Sequence, residues 1–127
     1  MKISQDQKAA NRKAIIRAAV ELIAEEGFKP ATMRRIAKAA GVGEATIYNY
    51  FPTKEAILYA YYQDHMHDCI AALKSIPDFH TFTLQEQLQA LFHASLDLYL
   101  SDRGFVAQTF RLVFLSLSRD WSQVKAI

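Results

Sequence analysis

The chain has 127 residues, is 51% apolar and carries a formal net charge of +2, which suits one compact unit or a small module continuous with part of a second helical layer. No stretch approaches the ~20 continuous apolar residues of a membrane span, Met1 to Gln5 lead into a polar segment without a signal peptide's apolar run, and the single cysteine, Cys69, excludes an intramolecular disulfide framework; together these imply a cytoplasmic protein. Charge is unevenly spread: residues 1–60 hold ten Lys or Arg against six acids, and residues 61–127 hold five against seven, so positive charge gathers in the first half.

From about Gln7 to Glu26 the apolar set Ile15, Ile16, Ala19, Leu22 and Ile23 recurs at intervals of three and four, and Lys8, Arg12, Lys13 and Arg17 fall outside it. This spacing predicts an amphipathic first helix stopped by Gly27. Pro30 lies in the connection, and Thr32 caps or opens a second helix that runs to Ala39 or Ala40. Gly41 supplies the positive-φ residue of a tight turn, Ala37 is small where two helices must approach, and Ile36, Ala40, Val42, Ile47 and Tyr50 are spaced to share one small core. The third helix starts near Gly43 or Glu44 and ends by Phe51, because Pro52 disfavours helical geometry in the residue before it. Two short helices folded across a glycine turn are one of the commonest shapes by which a protein enters a DNA groove.

Thr53 is a good N-cap for a long fourth helix whose apolar period runs from Ile57 to Leu73. Pro77 and the segment Asp78 to Phe82 mark a boundary, and Thr83-Leu84-Gln85-Glu86 is a capping box opening a fifth helix. Leu84, Leu88, Leu91, Phe92, Ser95, Leu98 and Tyr99 form its expected inner stripe. Ser101 to Gly104 break the pattern before a sixth helix from about Phe105 to Arg119, whose segment Leu112 to Leu117 is apolar nearly all round. With no strand alternation, repeat or low-complexity tract, the chain reads as all-α.

Residues 10 to 58 resemble the DNA-binding domain of the TetR-like family of one-component bacterial repressors. The resemblance is carried by Arg12 to Ala19 with Leu22 and Ile23, Gly27-Phe28, Thr32, Ile36-Ala37, Ala40-Gly41-Val42, Thr46-Ile47-Tyr48, Tyr50-Phe51 and Thr53-Lys54-Glu55 with Leu58. It implies a three-helix helix-turn-helix head (residues 1–52), joined by the long fourth helix to a helical ligand-binding and dimerisation region (residues 53–127). It also implies a homodimeric repressor, released from its operator by an apolar or aromatic inducer, with no cofactor and no membrane partner. The alternative is a constitutive DNA-binding module without an inducer. An enzyme is disfavoured: the sequence has no Gly-rich phosphate loop, nucleophile motif or paired carboxylate set.

The resemblance places Gly43, Glu44, Ala45, Thr46, Tyr48 and Asn49 along the groove-facing part of the third helix. Asn49 could bond an adenine edge, Glu44 could accept from a cytosine amino group, and Ala45 or Thr46 could touch a thymine methyl. Thr32, Tyr48, Tyr50 and Lys54 match phosphate-binding positions, with core packing the other reading of Tyr50, and Lys2, Lys8 and Arg12 suggest a flexible basic arm. Three positions depart from the commoner pattern: Gly43 where Ser or Thr often caps the helix, Ala45 where glycine is frequent, and Glu44 where a basic or small residue is usual. A carboxylate at 44 is repelled by phosphates unless it finds a donor, so it either discriminates among bases or faces solvent and reads nothing.

For the second half the resemblance suggests an inducer pocket lined by Tyr59, Tyr61, Tyr62, Phe92, Tyr99, Phe110 and Phe114, with a filled helical core as the plainer reading of the same residues. Asp64-His65-Met66-His67-Asp68-Cys69 contains metal-binding residue types, His65 and Cys69 sharing a face. No second cluster completes a ligand set, so a half-buried histidine and an inert cysteine are expected there and no metal is assigned. Family members usually continue through further helices, whereas this sequence stops at Ile127. The alternatives are a fragment, an omitted segment, or an unusual pairing role for the sixth helix.

Overall fold

The computed structural model describes residues 3–124, and side chains as far as Val113. Among the described residues six α-helices follow one another: α1 (Gln5–Glu26), α2 (Met33–Ala40), α3 (Glu44–Tyr50), α4 (Lys54–Lys74), α5 (Leu84–Leu100) and α6 (Arg103–Val124), with a 3₁₀ turn, Phe79–Thr81, before α5. The expected all-α architecture, a three-helix head joined by α4 to further helices, is what forms.

Local chemistry sets the helix boundaries. Ser4 caps α1, its hydroxyl accepting from the Gln7 amide at 3.1 Å, so the helix begins two residues earlier than its apolar period suggests. Thr32 and Thr53 cap α2 and α4 in the same way, accepting from the Arg35 and Ala56 amides. Gly41 ends α2 at φ 73°, ψ 27°, and the Val42 amide returns to the Ala37 carbonyl at 3.0 Å, which aims the chain back across α2 into α3. Before Pro52, Phe51 is extended at φ −140°, ψ 119°. At α5 the capping box is complete, with the Thr83 amide donating to Glu86 Oε2 at 2.7 Å and the Glu86 amide to Thr83 Oγ1 at 3.3 Å.

One buried cluster unites the head with α4 and α6. Ile15, Ile16, Ala19, Val20 and Ile23 of α1 meet Ile36 and Ala37 of α2, Ile47 of α3, Ile57, Leu58 and Tyr61 of α4, and Phe105 and Val113 of α6. Ala40, Val42 and Tyr50 are half-buried against it, completing the small core expected across the glycine turn. Burying a Leu or Ile side chain contributes about 1.5–3 kcal/mol, so the isoleucines of this cluster are what hold α3 at a defined angle to α1.

Two expectations about the second half are corrected. The supposed inner stripe of α5 is largely an outer face: Leu84 is 71% exposed and Phe92 64%, with Leu88 and Leu91 also exposed, and only Ser95, Leu98 and Tyr99 are half-buried. The reason is geometric, because α5 packs chiefly along α4 and lies on it by one flank. Helix α6 also starts two residues early, at Arg103, and absorbs Gly104. A Cβ on Gly104 would meet that of Ala24 at 3.5 Å, an ordinary contact, where α6 crosses α1. Of the apolar segment Leu112 to Leu117, Leu112 is exposed and Val113 is buried, and the remaining side chains, like that of Trp121, lie outside the described residues.

Candidate nucleic-acid interface

Helix α3 is seven residues long and anchored by one side chain. Ile47 is 0% exposed, so its helical neighbours one position away on either side, and those diametrically opposite, are forced outward. Gly43, Glu44, Ala45, Tyr48 and Asn49 are exposed and Thr46 is half-buried. Glu44 and Tyr48 are four apart, as are Ala45 and Asn49, so these four exposed positions run along adjacent strips of the helix, with Gly43 exposed at its cap and Thr46 half-buried. A shallow cleft of about 590 Å³ opens beside them, between this helix and the first turns of α1, lined by Lys8, Arg12, Thr46, Asn49 and Tyr50 among others.

The residues expected to grip phosphate are held in place by the head itself. The Lys54 ammonium donates to the Phe28 carbonyl at 2.5 Å and stands 4.0 Å from the centre of the Phe28 ring. Burial lowers its pKa, partly offset by Glu55, and two of its three donors remain outside that bond. The Tyr50 hydroxyl accepts from the Asn11 amide at 3.0 Å while its half-buried ring packs on the core, the packing reading of this residue. The Thr32 hydroxyl oxygen accepts from the Arg35 amide in capping α2, a bond that does not use its O–H. Tyr48 is 55% exposed.

Arg12 is not part of a flexible arm. It lies within α1, makes a two-pronged bond to Asp64 of α4 at 2.8 and 3.1 Å, and stands over the Phe51 ring at 5.9 Å. A guanidinium matched to a carboxylate in this forked geometry ties the head to α4. Lys8 also belongs to the helix, and Lys2 lies outside the described residues. Arg35 is engaged too, with Glu26 at the end of α1 and with the Pro30 carbonyl.

At the junction of α1, α4 and the α5–α6 turn, Asp102 acts as a hub. Its side chain is 9% exposed and accepts from both terminal amino groups of Arg17, at 3.0 and 3.1 Å, and from the Tyr61 hydroxyl at 2.9 Å. Burial alone would raise the carboxyl pKa, but the bonds from Arg17 and Tyr61 outweigh it and hold the group below the ordinary carboxylate range. Burial and the same carboxylate push the Tyr61 hydroxyl far upward. His65 Nε2 lies 3.3 Å from the Tyr61 oxygen and 3.2 Å from the Leu98 carbonyl, with its ring stacked on Tyr99. Asp64 is committed to Arg12 and Cys69 is buried, its thiol raised by desolvation; no group of three or more metal-ligating side chains forms among the described residues.

The aromatic residues expected around a ligand divide into two places. Tyr62 packs edge-on against Tyr61 and near Tyr99 and Phe110, its hydroxyl 2.7 Å from buried Thr109. Phe92 and Tyr99 instead line an open apolar groove of about 840 Å³ between α4 and α5, with Met66, Cys69, Leu88 and Leu91. Tyr59 is exposed on α4, and the Phe114 side chain lies outside the described residues.

Residues 15–61 match the profile of bacterial regulatory proteins of the tetR family. The chain is 32% identical to the fatty acid degradation regulator FadR from Bacillus halodurans, superposing with a TM-score of 0.62 over 76% of this chain and 53% of that one. This chain belongs to the TetR family. A TetR-family regulator from Marinobacter aquaeolei superposes with a TM-score of 0.61 at 27% identity, over 80% of this chain and 53% of that one. Among curated relatives, the fatty acid metabolism regulator protein of Bacillus subtilis is 47% identical over 60 residues, covering 47% of this chain and 31% of that protein. The regulator BetI of Rhizobium meliloti is 34% identical over 88 residues, 66% of this chain and 41% of its own length. The chain therefore spans about a third to a half of the relatives it matches. As the two structural matches cover more than three quarters of the chain, the TetR-family likeness extends beyond the head into the helices that follow.

Within this TetR-family head, sequence reading missed Arg34, whose Nε lies 3.1 Å from Glu44 Oε1 across the α2–α3 turn. The signal was available in part: Glu44 needed a donor, and α2 carries two consecutive arginines. Asn11 and Phe28, the partners of Tyr50 and Lys54, gave no local signal, because each is set by how α1 crosses the later helices.

Proposed function

We propose that the chain carries the DNA-reading head and part of the effector-sensing region of a homodimeric transcriptional repressor. The observation that carries this reading is the solvent face of α3, turned outward by the burial of Ile47 and flanked by the donors of Lys54, Tyr48 and Tyr50. In this scheme residues 1–52 grip double-stranded DNA and residues 53–127 sense and pair. Glu44, Ala45, Thr46, Tyr48 and Asn49 meet base edges, with Gly43 allowing close approach; Lys54, Thr32, Tyr48 and Tyr50 meet phosphates and supply most of the affinity and its salt dependence. Two copies would set two α3 helices into successive major grooves, roughly 34 to 36 Å apart for half-sites one turn away.

The groove between α4 and α5 suits an apolar effector better than the aromatic cluster around Tyr62, whose rings already fill one another's contacts. Two relatives are named for fatty acid metabolism or degradation, so an acyl chain is the first effector class to test. An effector acts by preferring the arrangement that cannot bind DNA: a tenfold loss of DNA affinity needs about 1.4 kcal/mol of differential binding. The Asp102 hub offers a physical route, because it joins α1 of the head to α4 and to the turn between α5 and α6.

Fluorescence anisotropy of a labelled duplex from the gene's own upstream region, titrated with the protein at several salt concentrations, tests the reading. Binding whose logarithm falls linearly with the logarithm of salt is expected, with release on adding dodecanoate. Salt-dependent binding indifferent to apolar additives would favour the constitutive module, and no binding to any duplex would end the proposal.

A further inference from the structure

Arg34 and Glu44 face each other across the glycine turn, Nε to Oε1 at 3.1 Å, with side chains 81% and 62% exposed. An ion pair this open adds little to folding stability, so its place beside the exposed side of α3 is what gives it meaning. The contact uses one guanidinium nitrogen and one carboxylate oxygen. Beyond these two atoms, Arg34 carries two Nη groups and Glu44 a second carboxylate oxygen.

Those remaining atoms match one base pair. In the major groove, guanine presents two acceptors, O6 and N7, which a guanidinium fork engages through two N–H groups, and its partner cytosine presents an N4 donor, which a carboxylate accepts. Going across a G·C edge, two acceptors are followed by a donor; going across Arg34–Glu44, donors are followed by an acceptor. An A·T edge places its N6 donor between two acceptors and ends in a methyl group, so the carboxylate would face an acceptor or a methyl with no hydrogen bond to make.

We infer that Arg34 and Glu44 act as one composite reader that specifies a G·C pair in each half-site. This inference rests on the DNA-binding reading above and adds a base preference and a specificity residue on α2. It also resolves the position of Glu44: its negative charge is cancelled by its neighbour before the surface meets DNA. Because the pair is neutral as a unit, it neutralises no phosphate and releases no counterion, so it contributes to preference and hardly to the salt dependence of binding.

The test is selection of bound duplexes from a random pool by the full chain and by Arg34→Ala, Glu44→Ala and the double variant, followed by anisotropy on the selected site and on single base-pair changes. Circular dichroism verifies folding, which substitution of two exposed side chains should leave intact. Wild type is expected to prefer one G·C pair per half-site by about 5- to 150-fold over A·T. Each single variant loses that preference, and the double variant loses no more than either single one. Glu44→Ala binds unrelated duplex at least as tightly as wild type, since a negative charge has gone. The inference is overturned if Arg34→Ala keeps every base preference, or if it weakens all duplexes uniformly and reduces the salt slope by about one, as loss of a phosphate contact does. Wild type that shows no salt-sensitive DNA binding removes the underlying reading itself, an outcome separate from both.

Discussion

Replacing Gly41 separates backbone strain from steric clash at the turn on which the head depends. The residue sits at φ 73° and ψ 27°, and a Cβ built there meets no heavy atom within 4 Å. Gly41→Ala therefore introduces no collision, and its whole effect is conformational. The left-handed region costs a residue with a side chain about 1–2 kcal/mol, while loss of glycine's freedom in the unfolded chain returns about 0.4–1 kcal/mol. The expected net loss is about 1 kcal/mol, or a few degrees in Tm for a chain of this size. Asn tolerates this conformation, so Gly41→Asn is expected to lose less than Ala, and Gly41→Val, with its branched Cβ, to lose more. Urea denaturation of the three variants against wild type measures the order. A neutral or stabilising Ala, or an Asn as costly as Val, would refute the strain argument.

Asp102→Asn is expected to destabilise by about 1–3 kcal/mol at neutral pH, by weakening the bonds from Arg17 and Tyr61. Because the folded carboxyl pKa lies below its unfolded value of about 3.9, the stabilisation is complete above that value and is lost as pH falls through the folded pKa. Wild type and variant should thus keep a constant difference in denaturation midpoint down to about pH 4 and converge as pH falls further, and a difference that stays unchanged far below that value would contradict the assignment. Phe92→Gln and Leu88→Gln change exposed groove residues, so Tm should move little, within the about 0.5 kcal/mol usual for surface positions. Uptake of an apolar fluorescent dye into the groove should fall; a cooperative loss of stability instead would show that these side chains are core.

The elements legible in the sequence are those whose limits are written locally. Gly41, Pro52, Thr53 and the Thr83–Glu86 box each act within four residues of the boundary they set, and their helices end or begin where expected. Ile36 and Ile47 could be assigned to the core because their spacing on either side of the Gly41 turn lets the two helices share one small apolar contact. Long-range pairings were not legible. Arg12 reads as a mobile cation until α1 crosses α4 and brings it to Asp64, 52 positions away, and Arg17 meets Asp102 across 85. Periodicity found the apolar face of α5, but not whether anything packs against it, since an apolar stripe at helical spacing is the same string of letters whether it meets a core or lines an open groove. The candidate reading face was legible as a set of positions, while the Arg34–Glu44 contact depends on the angle at which two helices leave the glycine turn.

Amide chemical-shift mapping on the isotopically labelled chain, titrated with a duplex it binds, tests the central claim most directly. The largest changes are predicted at Gly43 to Asn49, Lys54 and Arg34, with the α5 groove residues Leu88 and Phe92 unmoved. Changes confined to α5 or to the Tyr62 cluster, with α3 silent at saturation, would contradict the account.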